Sequence, residues 1–199
     1  QLRNWNYFTW LGGDHIVEQH VHNLDIMQWI MGVPPVRAIG LGGRQARTAE
    51  VNGHIFDHFA VEFEYPNGVR MFSQCRQING CDGKVEEAVL GTKGTSNCAN
   101  WIRPAEGRPW RYRGDRVNPY EQEHVDLINS IRQGEPINEA ENIAISTLVG
   151  IMGRESAYSG RTLEWDQVYN STMRLGPTTY EFGPLPFPEV AIPGKYRFA

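Results

Sequence analysis

Hydrophobic and polar positions change their period twice along this chain. Residues 1–13 are aromatic and irregular, with Trp5, Tyr7, Phe8 and Trp10 ahead of Gly12-Gly13, and read as a lead-in segment. Asp14 stands where a helix N-cap belongs. A helical period then holds to Met31, and Gly32 with Pro34-Pro35 ends it. At about 100° per residue, Val17, Leu24, Met27 and Met31 share one side of this helix. Asp14, His15, Glu18, His22 and Asp25 share the other.

From residue 36 the period shortens to two. Residues 36–48 predict a strand leading into a glycine-bearing loop. Along 55–65, Ile55, Phe59, Val61, Phe63 and Tyr65 point one way and His58, Glu62 and Glu64 the other, the pattern of a half-buried strand. Pro66-Asn67-Gly68 is a turn, and Val69–Gln77 returns as the second strand of a β-hairpin. Residues 85–91 and 96–102 are shorter strand candidates around a turn at Thr92-Lys93-Gly94-Thr95, and 103–117 read as loop. The helical period then resumes. Asn118-Pro119-Tyr120-Glu121 supplies a cap, a proline at the first helical position and an early acid, predicting a helix to about Arg132. Asn138-Glu139-Ala140-Glu141 repeats the signature for a helix ending near Gly160, and a short helix follows at Asp166–Asn170. Residues 171–199 form a proline-rich extended tail.

Strands segregated from helices predict an α+β fold: a mostly antiparallel open sheet with helices packed on one face. The other face also carries apolar residues, so a partner subunit is its economical cover, as a homo-oligomer (dimer or tetramer) joined through the sheet. No composition break divides the chain, which reads as one domain over residues 1–199.

Composition narrows the function classes. With 199 residues, 40% hydrophobic and 21% charged, the chain can bury a core, which excludes a disordered tail, a collagen-like repeat and a coiled coil. A net charge of −4 and a pI near 5.9 give no reason to expect a nucleic-acid partner. No apolar run approaches the ~20 residues of a membrane span, so no membrane partner is expected either. Cys75, Cys81 and Cys98 are odd in number and lack CxxC spacing, the usage of reduced thiols. The chain starts at Gln1 and runs almost directly into aromatic sequence, as a piece of a longer protein would. Its compartment, cytoplasmic or periplasmic, is therefore left open.

The polar stripe of the first helix is the sharpest candidate for chemistry. On a continuous helix Glu18 and His22 are one turn apart and can hydrogen-bond, with Asp25 one turn beyond Glu18's side. A carboxylate that fixes a histidine's tautomer lets the imidazole exchange a proton with a substrate hydroxyl near neutral pH, as alcohol oxidation requires. Two other readings compete: a solvated polar face, and a metal site built from His15, Glu18, His22 and Asp25, although the pattern is not HExxH and no metal is expected. His20 falls on the apolar side and reads as a buried, hydrogen-bonded histidine. Gly40-Leu41-Gly42-Gly43 lacks the helical period or GK[ST] that a phosphate loop needs. His54, His58, Arg70, Gln74 and Arg76 lie on or beside the hairpin, where they line a polar pocket or dress a wet sheet face. Trp110-Arg111-Tyr112-Arg113 offers rings and cations for a sugar or a base, or simply packs as a loop.

The run GGDHIVEQHVHNLDIMQWIMG resembles the second signature of the Gfo/Idh/MocA oxidoreductases: a glycine-rich stretch, then D-x-G-x-H-x-x-D, then an aromatic and a glycine. Glu18 stands at the usual Asp and His20 at the usual Gly; His22, Asp25, Trp29 and Gly32 match. Trp10 to His15 is especially similar to a bacterial subgroup of the form WLxGDHIVEQHVHN. The Gly-Thr-Lys-Gly turn, the Asn-Pro helix and Ser156-Ala157-Tyr158-Ser159-Gly160-Arg161 extend the likeness over about residues 5–170. The resemblance implies the substrate-binding and oligomerisation half of an NAD(P)-dependent sugar or polyol oxidoreductase. His22 would be its general acid/base and Glu18 its partner, with Asp25, His15, Asp14 and Arg76 around the substrate. NAD or NADP would be bound mainly by an N-terminal Rossmann domain absent from this chain, which alone is expected to bind no cofactor and to be inactive. A metal-dependent sugar hydrolase, lyase or isomerase, and a non-catalytic oligomerisation or sugar-binding module, are the rival readings.

Overall fold

The computed structural model describes residues 1–198, and the chain divides into two compact units. The first comprises Gln1–Asp82 and the chain from Ile143 onward; the second is Gly83–Asn142.

The first unit opens with a 3₁₀ segment, Leu2–Tyr7, and three short helices: α1 (Thr9–Gly12), α2 (His15–Glu18) and α3 (Val21–Met31). Strands β1 (Arg37–Gly43), β2 (His58–Glu64) and β3 (Arg70–Arg76) follow. The alternation along 55–65 acts as read. Phe59, Val61 and Phe63 turn inward with Ala38 and Met71 of the neighbouring strands, and the polar residues between them face out. The inner face is covered by a long helix that begins in the second unit, Ala140–Ser159. It approaches so closely that a Cβ at Gly40 of β1 would lie 2.8 Å from the Ala157 nitrogen. Its Ser156 hydroxyl accepts the Gly40 N–H (2.8 Å) and donates to the Arg161 carbonyl (2.6 Å), satisfying a β1 amide that would otherwise be a buried orphan. A two-residue strand at Leu163–Glu164 closes this sheet beside β1, and a last helix spans Trp165–Tyr169.

Two expectations change here. The predicted single helix over residues 14–31 is broken. The His20 N–H reaches back five residues to the His15 carbonyl (3.1 Å), which inserts an extra residue into the turn and rotates α3 relative to α2. The tail, read from the sequence as an extended segment over 171–199, has no helix or strand over 171–198 and is docked. Val190, Ala191, Tyr196 and Phe198 pack against the core, and Phe187 sets its ring edge against Phe8 at 5.5 Å. Proline cannot donate to a sheet, and the aromatic and aliphatic residues spaced between the prolines supply the contacts instead.

The second unit carries β4 (Val89–Gly91), β5 (Gly94–Ser96), β6 (Trp101–Pro104) and β7 (Trp110–Arg111) as a second antiparallel sheet in that order. The hairpin at 91–94 is where the Thr-Lys-Gly turn placed it; β7 lies inside the stretch read as loop. Helix α4 (Pro119–Gln133) starts where expected, with the Asn118 side chain accepting the Tyr120 N–H at 3.1 Å. Gly134, at φ +72°, ends it. The long helix is α5, the Leu163–Glu164 strand β8 and the last helix α6. Helices and antiparallel sheets make the fold α+β. The three cysteines are free thiols, and no helix among the described residues is long and apolar enough to cross a membrane.

Candidate functional site

The segment from Gly12 to Asp25 is anchored at Asp14. Gly13 ends α1 at φ +77°, and a Cβ there would sit 2.7 Å from the Val17 side chain, so both backbone and space demand glycine. Asp14 itself has φ +81° and ψ +163°, a conformation that other residues than glycine adopt only when surroundings enforce it. Those surroundings are specific. The completely buried carboxylate accepts the His15 N–H on one oxygen; on the other it accepts the Phe56 N–H (3.0 Å) and the hydroxyl of Tyr158 on α5. Burial pushes its pKa up to about 7, against the pull of these donors and of the nearby Arg154. Its own burial, and then the charge of the same carboxylate, raise the Tyr158 hydroxyl well above its ordinary range.

A buried ion pair supports this anchor from behind. Arg154 gives Nη1 to the Gly13 carbonyl (2.8 Å), and Nε and Nη2 to one oxygen of Glu155 (2.9 and 2.7 Å). The other Glu155 oxygen accepts the hydroxyl of Tyr196 in the tail (2.8 Å). With both charges paired and hydrogen-bonded, the pair meets the condition under which buried ions are tolerated. Arg154 and Glu155 were readable only as two charges interrupting an apolar helix. Tyr158 and Tyr196 left no periodic signal, although Tyr158 lies in the stretch that carried the family likeness.

The predicted site residues separate. Asp14, expected near the substrate, is fully buried. His15 is half-buried, and desolvation together with the Arg47 charge lowers its pKa, holding it neutral. Because α2 stops at Glu18, no hydrogen bond joins Glu18 to His22 among the described residues; the expected pair is not formed. His22 is exposed on the first turn of α3, and Glu18 is half-buried. Asp25 turns to α5 and accepts the Ser146 hydroxyl at 2.5 Å. Arg76, at the end of β3, is exposed and donates to the Asp82 carbonyl (3.0 Å). His20 bonds the inward Ser73 hydroxyl (2.7 Å), as a structural histidine. No group of three or more His, Cys, Asp or Glu among the described residues converges as metal ligands would. The proposed metal quartet is therefore not assembled.

The loop between β1 and β2 is tied down beside this segment. Burial works to raise Asp57, but N–H groups of Arg47, Ala46 and Gln45 and the ring of His58 hold its carboxyl below the usual range. Arg47 reaches the Tyr7 hydroxyl (2.7 Å) and the Gln77 carbonyl. His54, buried against Thr9 (2.9 Å), is pushed down to about 4 by desolvation and by the charges of Arg154 and Arg44. Two shallow concavities, of about 240 and 280 Å³, lie elsewhere, on the outer sheet face and beside Pro34-Pro35. Along the His15–Asp25 segment His22 is exposed, while His15, Glu18 and Asp25 are half-buried.

Residues 1–118 match the family model GFO_IDH_MocA_C, described as the oxidoreductase family, C-terminal alpha/beta domain. No curated protein sequence matches the chain. In three dimensions it is similar to the aldose-aldose oxidoreductase of Caulobacter crescentus, solved with glycerol (18% identity, TM-score 0.63, 80% of this chain and 50% of that one). It is also similar to an oxidoreductase from Thermotoga maritima (18%, 0.63, 82% and 48%). A third likeness is to a myo-inositol dehydrogenase from Corynebacterium glutamicum (19%, 0.57, 77% and 50%). The chain spans about half the length of these structures.

Proposed function

Because the chain belongs to the Gfo/Idh/MocA oxidoreductase family as its C-terminal α/β domain, we propose that it is the substrate-binding and proton-transferring half of an NAD(P)-dependent sugar or polyol oxidoreductase. On this reading residues 1–199 act as one domain and are inactive without a dinucleotide-binding domain. The observation that carries the reading is the family match over residues 1–118, which includes the whole Gly12–Asp25 segment.

The residues present do not fit the dinucleotide. Gly40-Leu41-Gly42-Gly43 is paired residue for residue with β2, and the Gly40 N–H is spent on Ser156, so these amides cannot cradle a pyrophosphate. Every strand pair among the described residues is antiparallel, unlike the βαβ unit such a site requires. In the proposed enzyme the nicotinamide is held by other residues.

The roles left to this chain are protonic and positional. His22, exposed and unencumbered at the start of α3, takes or returns the proton of a substrate hydroxyl; imidazole is suited to this near neutrality. Glu18, one helix earlier, binds a second hydroxyl or closes onto His22 when substrate fills the gap. His15, kept neutral, can donate or accept without an ion's desolvation cost. Asp14 acts through the backbone, as the anchor that sets where His15 and Glu18 begin. Asp25 ties α3 to α5 through Ser146, and Arg76 at the end of β3 is a further candidate substrate contact. The outer sheet face, with Ile39, Leu41 and Phe72 at 50, 72 and 73% exposure, is the proposed homo-oligomer interface.

The test is turnover of the full-length parent protein against a panel of sugars and polyols with NAD and NADP, read by nicotinamide absorbance. His22→Ala should lower kcat by about 10²–10⁴-fold. Unchanged kcat in that variant rejects the assignment, and absence of any nicotinamide-linked turnover rejects the function.

A further inference from the structure

The edge of the second sheet brings exposed arginines and aromatic rings together. Between residues 103 and 116 the chain carries five arginines, Arg103, Arg108, Arg111, Arg113 and Arg116, against two acids, Glu106 and Asp115. None of the five guanidiniums has a carboxylate partner or a side-chain hydrogen bond among the described residues, and all five residues are exposed. Interleaved with them are aromatic rings that do not pack inward. Trp110 is 53% and Tyr112 52% exposed, with ring centroids 6.5 Å apart and planes tilted by 54°.

This arrangement is held in place. Strand β7 pairs Trp110 with Ile102 and Arg111 with Trp101. The Tyr112 N–H continues the ladder to the Asn100 carbonyl (2.8 Å). The Tyr112 hydroxyl is hemmed by Gly114, where a Cβ would come within 2.3 Å of it. On the opposite face from Trp110, Arg103 lies over the Trp101 ring at 5.7 Å, in line with Arg111. Because β7 is the outermost strand, one extended ligand can touch the rings of one face and the guanidiniums of the other.

We propose that this edge, centred on Trp110, Tyr112 and Arg111, binds an acidic glycan: a short run of sugar units bearing carboxylates. A tilted aromatic pair takes the apolar face of a pyranose ring, and free guanidinium forks pair bidentately with carboxylates. A nucleic acid fits less well. Glu121, Glu123 and Asp126 follow on α4, and the chain as a whole is at −4, so closely spaced phosphates gain little beyond the arginine edge itself. The inference does not depend on the redox reading of the first unit.

The 199-residue chain is titrated with a galacturonate hexamer, a maltose-type neutral hexamer and an oligothymidylate of matched charge, by tryptophan fluorescence and calorimetry. The galacturonate oligomer binds saturably, and the neutral one at least about tenfold more weakly. Trp110→Ala and the double charge reversal Arg111→Glu/Arg113→Glu each weaken galacturonate binding about tenfold or more. Both variants keep the circular dichroism of the parent, since the side chains are exposed. The proposal is overturned by no saturable binding, by oligothymidylate binding as tightly as galacturonate, or by unchanged affinity in both folded variants.

Discussion

The hydroxyl of Tyr158 donates to the carboxylate of Asp14 across 144 positions of sequence, and both groups are buried. This single bond joins the last turn of α5 to the strained residue that starts α2. It fixes where the His15–Asp25 segment leaves the core. Tyr158→Phe removes a donor from a buried acceptor at little cost in volume. At pH 8, where Asp14 is ionised, it should lower stability by about 1.5–3 kcal/mol, the range for hydrogen bonds to charged groups, read as a shift in urea midpoint at constant m.

Asp14 and His54 should impose opposite pH slopes on stability. The folded pKa of Asp14, about 7, lies above its unfolded value of 3.8, so its contribution is full below that value and is lost as pH rises toward 7. That of His54, about 4, lies below its unfolded 6.5, so its contribution is lost as pH falls from 6.5 toward 4. The two nearly offset one another between those limits. Asp14→Asn removes one slope only. Its unfolding free energy should climb more steeply with pH across this window than the parent's, by chemical denaturation at several pH values. Parallel curves would show that Asp14 is ionised throughout.

Support for the anchor reaches into the tail through Tyr196, Glu155 and Arg154. Glu155→Gln or Arg154→Met alone strands a buried charge and should cost about 3–5 kcal/mol. The double variant should cost clearly less than the sum, and a double-mutant cycle measures the coupling. Tyr196→Phe is milder. In hydrogen exchange it should raise amide exchange around Gly13–His15 more than in the sheet, whereas equal change throughout would mean a global effect only.

The outer face of the first sheet sets the apolar residues Ile39, Leu41 and Phe72 among the ion pairs of Arg37, Glu62, Glu64 and Arg70. Phe72→Glu places a charge beside Glu62, its cross-strand neighbour, without touching the core. If this face joins copies of the chain, sedimentation should show a lower oligomeric state with an unchanged melting transition of the monomer. An unaltered sedimentation coefficient would place the interface elsewhere.

What could be read without coordinates was what local periodicity and capping encode. The alternation of Phe59, Val61 and Phe63, the Asn118-Pro119 start of α4, the turn at 92–95 and the α+β order each depend on neighbours within a few residues. The signature around His22 was equally legible as a likeness, because it is contiguous. Long-range contacts decided the rest. A helical wheel assumes one unbroken axis, and the bond from His20 back to His15, with His20 held by Ser73 of β3, breaks it and parts Glu18 from His22. Asp14 looked like a surface cap beside its polar neighbours. Only the arrival of Phe56 from the loop before β2 and of Tyr158 from α5 makes it a buried anchor, since burial and its pKa shift are properties of the surroundings, which a local pattern does not contain.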